Sequence, residues 1–365
     1  MTGNILGERF VVISFGESHG KCIGALIDGC PAGLAIDEED IQRELNLRRP
    51  ATSIVTTTRS EEDKVEILSG IFNGYTTGSP ICMIIRNKDI DSRPYEIVKN
   101  IPRPGHADYV AKIKYGGYND YRGGGRFSGR ITAGFVMAGA IAKKLLNVTL
   151  KIEIIAYSLE IGGVRAERID LEEAKRERYK NDVRAPNPII AERMKERILE
   201  EKRKGDSVGG IVECVALNLP IGLGEPVFDS LDGDLSKALF SIPAVKGVEF
   251  GAGFSVAKLT GSQNNDPYIL KDGKITHLTN NAGGIVGGLS NGMPLVVRVA
   301  FKPASSIAKV QRSVDIERME EKEIVVTGRH DPTVVPRAVP VVESIVAIVL
   351  ADHAIRAGFI PNILK

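Results

Sequence analysis

No excess of either charge runs through these 365 residues: 48 lysines and arginines stand against 46 aspartates and glutamates, for a formal net charge of +2. That excludes a global field drawing the chain onto nucleic acid or a membrane surface, so any positive site is local. Cysteine is scarce. The four present, Cys22, Cys30, Cys82 and Cys214, lie in apolar surroundings with no C-x-x-C spacing. This excludes a zinc site or a disulfide framework and predicts reduced core thiols in a cytoplasmic protein. Long hydrophobic runs are missing too. The N-terminus has no basic region followed by an apolar segment of signal length, and the stretch Ile345 to Ala351 is too short to span a bilayer. Tryptophan is absent, no repeat of fixed period is visible, and no linker divides a chain that reads as one domain over 1–365.

Glycine, at 39 residues, is plentiful and gathers at one place. Tyr121-Arg122-Gly123-Gly124-Gly125-Arg126-Phe127-Ser128-Gly129-Arg130 sets three residues without a Cβ among arginines. The backbone there can take positive φ, and a flat or phosphorylated ligand can come close. If the segment is helical, Arg122, Arg126 and Arg130 share one side, each offering a rigid fork of donors for phosphate or carboxylate. Ser128 is a good N-cap for a helix to about Leu146, with Ile131, Phe135, Ala138, Ala142 and Leu145 on its buried side. The expectation is an anion-binding loop opening onto a helix N-terminus. Two other readings stand beside it. An Arg-Gly-Gly nucleic-acid segment is usually repeated, whereas this motif occurs once. Gly16-Glu17-Ser18-His19-Gly20-Lys21 approaches a P-loop but lacks its glycine spacing and its closing Ser or Thr.

Along the rest of the chain, β-branched runs predict strands at Phe10 to Phe15, Cys22 to Asp28, Val65 to Phe72, Ile81 to Arg86, Val148 to Ile161, Gly209 to Leu219 and Leu295 to Phe301. The run Thr52 to Thr58 reads as extended. Asp37 caps a helix to about Leu47 that ends in Arg48-Arg49-Pro50, a second helix covers Asp234 to Ser241, and Ala338 to Arg356 is apolar nearly all round. Arg165 to Gly205 is charge-dense, with Ile190, Met194 and Ile198 marking a buried side and no chemistry assigned. Residues 247 to 292 read as one long loop rich in Gly and Asn, functional or a surface flap. Stiff loops carry polar groups at Arg103-Pro104-Gly105-His106-Ala107-Asp108, where Asp108 is placed to cap a helix, and at Gly328-Arg329-His330-Asp331-Pro332. Lys302 with Ser305 and Ser306 can surround a phosphate.

Gly16–Gly20, Arg103–Asp108, Tyr121–Arg126, Phe301-Lys302-Pro303 and Gly328–Pro332 together resemble the chorismate synthase family, in the same order and across almost the whole chain. The resemblance implies an α+β fold, a β-α-β sandwich with long central helices between antiparallel sheets, assembled as a homotetramer. It implies a lyase at the end of the shikimate pathway. The family takes 5-enolpyruvylshikimate 3-phosphate to chorismate by anti-1,4-elimination of the 3-phosphate and the 6-proR hydrogen. Reduced FMN is required without net redox change, its electrons coming from NADPH at the protein itself or from an external flavin reductase. No metal, nucleic acid or membrane is implied.

By the same resemblance Ser18, Arg48, Arg103, Arg130 and Arg329 bind the substrate, and His19 protonates the departing phosphate. His106 is the acid beside the reduced flavin. Asp331, close to the flavin N5, assists removal of the C6 proton, with N5 the direct base. FMN contacts carry onto Arg48, Arg126, Phe127, Ser128, Gly287, Lys302, Pro303, Ala304, Ser305, Ser306 and Arg329, and more weakly onto Ala244. The chain departs from the family pattern at Phe127, Gly129, Ile131 and Pro243.

Overall fold

In the strand Leu295–Phe301, Leu295, Val297, Val299 and Phe301 are buried while the residues between them are half-buried. This is the two-residue period of a sheet with one face on the core. The computed structural model describes residues 3–49, 63–88, 92, 95–326 and 331–365, and two five-stranded antiparallel sheets form its outer layers. The first runs Ile5–Leu6, Val11–Gly16, Cys22–Asp28, Ile81–Arg86, Val65–Ile67. The second runs Val245–Phe250, Leu295–Phe301, Gly210–Leu217, Glu153–Ile161, Val164–Arg165. Between them lie two long helices, Thr132–Leu150 against the first sheet and Val335–Arg356 against the second. The layers are those of the expected α+β sandwich. A Cβ on Gly139 would sit 2.2 Å from the Ser344 Cβ, so the helices meet where neither tolerates a larger residue.

Both helices are long and apolar enough to cross a bilayer, yet both are mostly buried between the sheets. The C-terminal helix is not uniformly apolar. Glu343, 1% exposed, accepts from the Ala156 amide at 2.9 Å, Lys143 Nζ at 2.7 Å and the Tyr179 hydroxyl at 3.1 Å, with Arg178 Nη2 at 3.4 Å. One carboxylate thus ties both long helices to the second sheet and to the charge-dense segment Arg165 to Gly205. Burial pushes Glu343 up, but Lys143 and Arg178 outweigh it and hold the carboxyl below its usual range.

Several expected boundaries move for local reasons. Val148 and Thr149, β-branched and read as strand, belong to the helix, which ends where Lys151 turns left-handed at φ 58. The strand begins only at Glu153. Residues 247 to 292 are not one loop: they finish the edge strand Val245–Phe250, then form the short helix Gly261–Asn264 and two hairpins, Tyr268–Lys271 with Lys274–His277 and Ile285–Val286 with Leu289–Ser290. Val65 to Phe72 is broken after Ile67. Ser230, by accepting from the Gly233 amide at 3.3 Å, starts the next helix at Leu231 rather than Asp234. The C-terminal helix starts at Val335. Of the cysteines, all free, Cys30 and Cys214 are buried but Cys22 and Cys82 are half-exposed on the first sheet. The extended run Thr52 to Thr58 lies outside the described residues.

Candidate active site

The three glycines take φ of 57, 81 and 52, so the segment is an irregular turn and not a helix. A Cβ on Gly123 would lie 2.2 Å from His19 Cδ2 and 2.8 Å from Ser18 Oγ, and one on Gly124 would lie 3.0 Å from His106 Cε1. The missing side chains therefore let two histidines from distant loops pack onto one turn. Ser128 does cap, by accepting from the Arg130 amide at 3.3 Å, but it caps a single 3-10 turn, Gly129–Ile131, ahead of the helix at Thr132. Without a helix the three arginines diverge. Arg122 doubles back on Asp120. Arg126 donates to the Gly16 and Ser14 carbonyls at 2.8 and 3.1 Å, tying the turn to the first sheet. Arg130 reaches a third way, to Asp63 at 2.5 Å and Asn87 at 3.0 Å.

Beside this turn opens a cavity of about 580 Å³, within the range of small-molecule sites. Its wall includes Arg48, Arg103, His106, Arg126, Phe127, Ser128, Arg130, Ala244, Lys302, Pro303, Ala304, Ser305, Ser306 and Asp331. Arg48, from the end of the helix Glu38–Arg48, is 1% exposed. It donates from Nε to Thr132 Oγ1 and from Nη2 to the Gly129 carbonyl, each at 3.0 Å. Ser18 and His19 are not in the wall itself but lie behind Gly123, which is. His19 Nδ1 is 2.9 Å from Ser92 Oγ, and the Tyr95 ring stands nearly perpendicular to the imidazole with centroids 5.0 Å apart.

His106 Nδ1 lies 2.7 Å from Asp108 Oδ1, and Arg103 grips the same carboxylate through Nε and Nη2, both at 2.8 Å. Asp108 is thus no cap. The helix Asp108–Lys114 has none, and the carboxylate orients the imidazole and the guanidinium instead. Burial raises its pKa, but the hydrogen bonds from Arg103 and His106 prevail and hold it well below the carboxylate range. With the folded pKa under the unfolded value of about 3.9, the stabilisation is complete above that pH and is lost as pH falls through the folded value. Asp108→Asn is expected to destabilise the protein by about 1.5–3 kcal/mol at pH 7 and to flatten its loss of stability below about pH 4. Denaturant melts across pH check both.

Two charged wall residues carried no signal in the sequence. Asp63 sits in a Glu-Glu-Asp-Lys charge run that reads as solvated, and Arg337 sits in an apolar helix start. Arg337 Nη1 is 2.6 Å from Asp331 Oδ2. Of the remaining expected positions, Gly287 is exposed on the hairpin Ile285–Ser290 and is not part of this wall, and Arg329 lies outside the described residues. The P-loop reading fails on topology, because Gly16–Lys21 is a turn between antiparallel strands with no helix after it. The glycine run of the nucleic-acid reading is packed against His19 and His106, with Gly124 and Gly125 buried.

A family model described as chorismate synthase matches residues 10–355. The chain is 58% identical to a chorismate synthase of Korarchaeum cryptofilum, over 98% of this chain and 99% of that protein. It is 55% identical to one of Methanobrevibacter smithii over 98% of each. A crystal structure of chorismate synthase matches with a TM-score of 0.76 at 34% identity, covering 96% of this chain and 93% of that one.

Proposed function

The chain belongs to the chorismate synthase family, lyases of aromatic amino-acid biosynthesis, and from that premise we propose that it converts 5-enolpyruvylshikimate 3-phosphate to chorismate and phosphate, with reduced FMN bound beside the substrate. One observation carries the reading: Arg48, Arg130, Lys302 and the loop pair Arg103 and His106, from four separate stretches of chain, line a single cavity. A substrate with two carboxylates and a phosphate needs several guanidinium forks in a site shielded from water. The cavity also suits FMN. Burial and the repulsion of Lys246 lower the Lys302 pKa, an imbalance that a phosphate beside Lys302, Ser305 and Ser306 corrects.

When bound, the reduced flavin supplies transient electron density to the allylic system. Arg48, Arg103 and Arg130 orient the substrate's anionic groups, with Ser18 and Arg329 assisting. His19, steadied by Ser92 at Nδ1 and by the perpendicular Tyr95 ring, delivers a proton to the departing phosphate and lowers its charge. His106, its ring fixed by Asp108, holds a proton on the flavin side of the cavity. Asp331, with one oxygen on Arg337, assists in taking up the C6 proton.

We read the chain as one cytoplasmic domain, in keeping with a single apolar cluster that reaches from Phe10 to Ile360. As a homotetramer it would cover apolar side chains such as the cross-strand pair Leu270 and Ile275, 78% and 70% exposed. The test is anaerobic incubation with the substrate. Phosphate and chorismate should form with dithionite-reduced FMN and not without it; turnover unaffected by omitting flavin sinks the reading. Bleaching of FMN by NADPH in the same vessel distinguishes a self-reducing enzyme from one served by a separate reductase.

A further inference from the structure

Asp63 is an acid in the wall of a cavity suited to anions, and that mismatch needs a cause. Its side chain is 2% exposed, with Oδ2 at 3.2 Å from Arg48 Nη1 and Oδ1 at 2.5 Å from Arg130 Nη1. One carboxylate therefore joins the end of the helix Glu38–Arg48 to the turn after the glycine run. The residue sits in the left-handed region at φ 46, which aspartate tolerates better than most side chains. Gln42 braces the backbone on both sides: its Nε2 donates to the Asp63 carbonyl at 3.2 Å, and its Oε1 accepts from the Val65 amide at 3.0 Å. Burial pushes the carboxyl up, yet Arg48 and Arg130, with Arg337 further off, hold it below its usual range. Two guanidinium groups buried this deeply repel each other, and a shared anion between them fixes both.

Resting on the substrate reading above, we propose that Asp63 is the positioning residue of the substrate site. It holds the Arg48 and Arg130 forks at a set separation and angle, so the substrate's anionic groups meet preset donors, although it removes one unit of the cavity's positive charge. Charge and positioning predict opposite signs. If Asp63 only balanced charge, its neutralisation would leave the cavity more positive and tighten the hold on a polyanion. If it orients the arginines, the same change weakens binding, because misdirected forks lose their charge-assisted bonds.

The experiment is calorimetric titration of the full-length protein, with oxidised FMN present, by 5-enolpyruvylshikimate 3-phosphate. Wild type, Asp63→Asn and Asp63→Glu are compared, with steady-state kinetics on each. Both variants should bind about tenfold more weakly or worse, with KM rising in step and kcat falling less. Equal or tighter binding by Asp63→Asn overturns the proposal. A purely structural role would lower the unfolding temperature and leave Kd and KM of the folded protein unchanged, which also overturns it. Asp63→Glu keeps the buried charge; should the asparagine variant not fold, wild-type affinity in the glutamate variant is the contradicting result. Wild-type protein that binds no substrate would instead overturn the substrate reading, and this proposal with it.

Discussion

His19→Ala lowers kcat by about 10²-fold or more while the circular dichroism spectrum stays that of the folded protein. The imidazole is nearly buried and set by Ser92 and Tyr95, so it is held for one orientation. Loss of a general acid at the leaving group falls on the chemical step, and KM should move little. A second substitution reaches the same ring from the other side. In Gly123→Ala the new Cβ falls 2.2 Å from His19 Cδ2, at a residue whose φ is 57. Either the ring is displaced or the turn opens, and kcat should fall by about the same 10²-fold. Wild-type turnover in His19→Ala removes His19 from the proton transfer. Wild-type turnover in Gly123→Ala would show that the turn does not set the ring.

Glu343→Ala should cost about 3–5 kcal/mol of folding stability, the usual penalty for leaving a buried charge without its partner. Lys143 and Arg178 would both lose their inward partner, and the Ala156 amide would be left without an acceptor. Guanidinium melts of the two proteins measure it directly. A loss below about 1 kcal/mol, the range of an exposed ion pair, would mean that water reaches this network and that the core is held by its apolar residues alone. Glu343→Gln, which keeps the shape and removes the charge, should fall between the two.

The helices were legible in the sequence because their cause is local. Ile131, Phe135, Ala138, Ala142 and Leu145 recur at helical spacing and are all buried, and Asp37 caps its helix by accepting from the Asp40 amide at 2.9 Å. Ile190, Met194 and Ile198 mark the buried side of their helix as expected. Much of the cavity wall was legible through the resemblance, whose motifs carry Arg103, His106, Arg126 and Lys302. What could not be read depends on contacts between segments far apart. Asp63 looks like one more surface acid until Arg48 and Arg130 close over it. Asp108 stands where a cap belongs, and only the geometry of Arg103 and His106 diverts it. Equal spacing of Arg122, Arg126 and Arg130 suggested a shared face, but spacing has that meaning only in a helix, and three positive φ values abolish it. Arg178 and Tyr179, in a stretch that looks solvated, reach the core because Glu343 is there to receive them.

Whether one cationic cavity seats the substrate against the flavin is decided by a crystal structure of the protein grown with FMN and 5-enolpyruvylshikimate 3-phosphate. The flavin phosphate is expected within hydrogen-bond reach of Lys302, Ser305 or Ser306, and the substrate's anionic groups on Arg48, Arg103 and Arg130. Ligand density lodged elsewhere on the molecule, with those three arginines touching neither ligand, would contradict it.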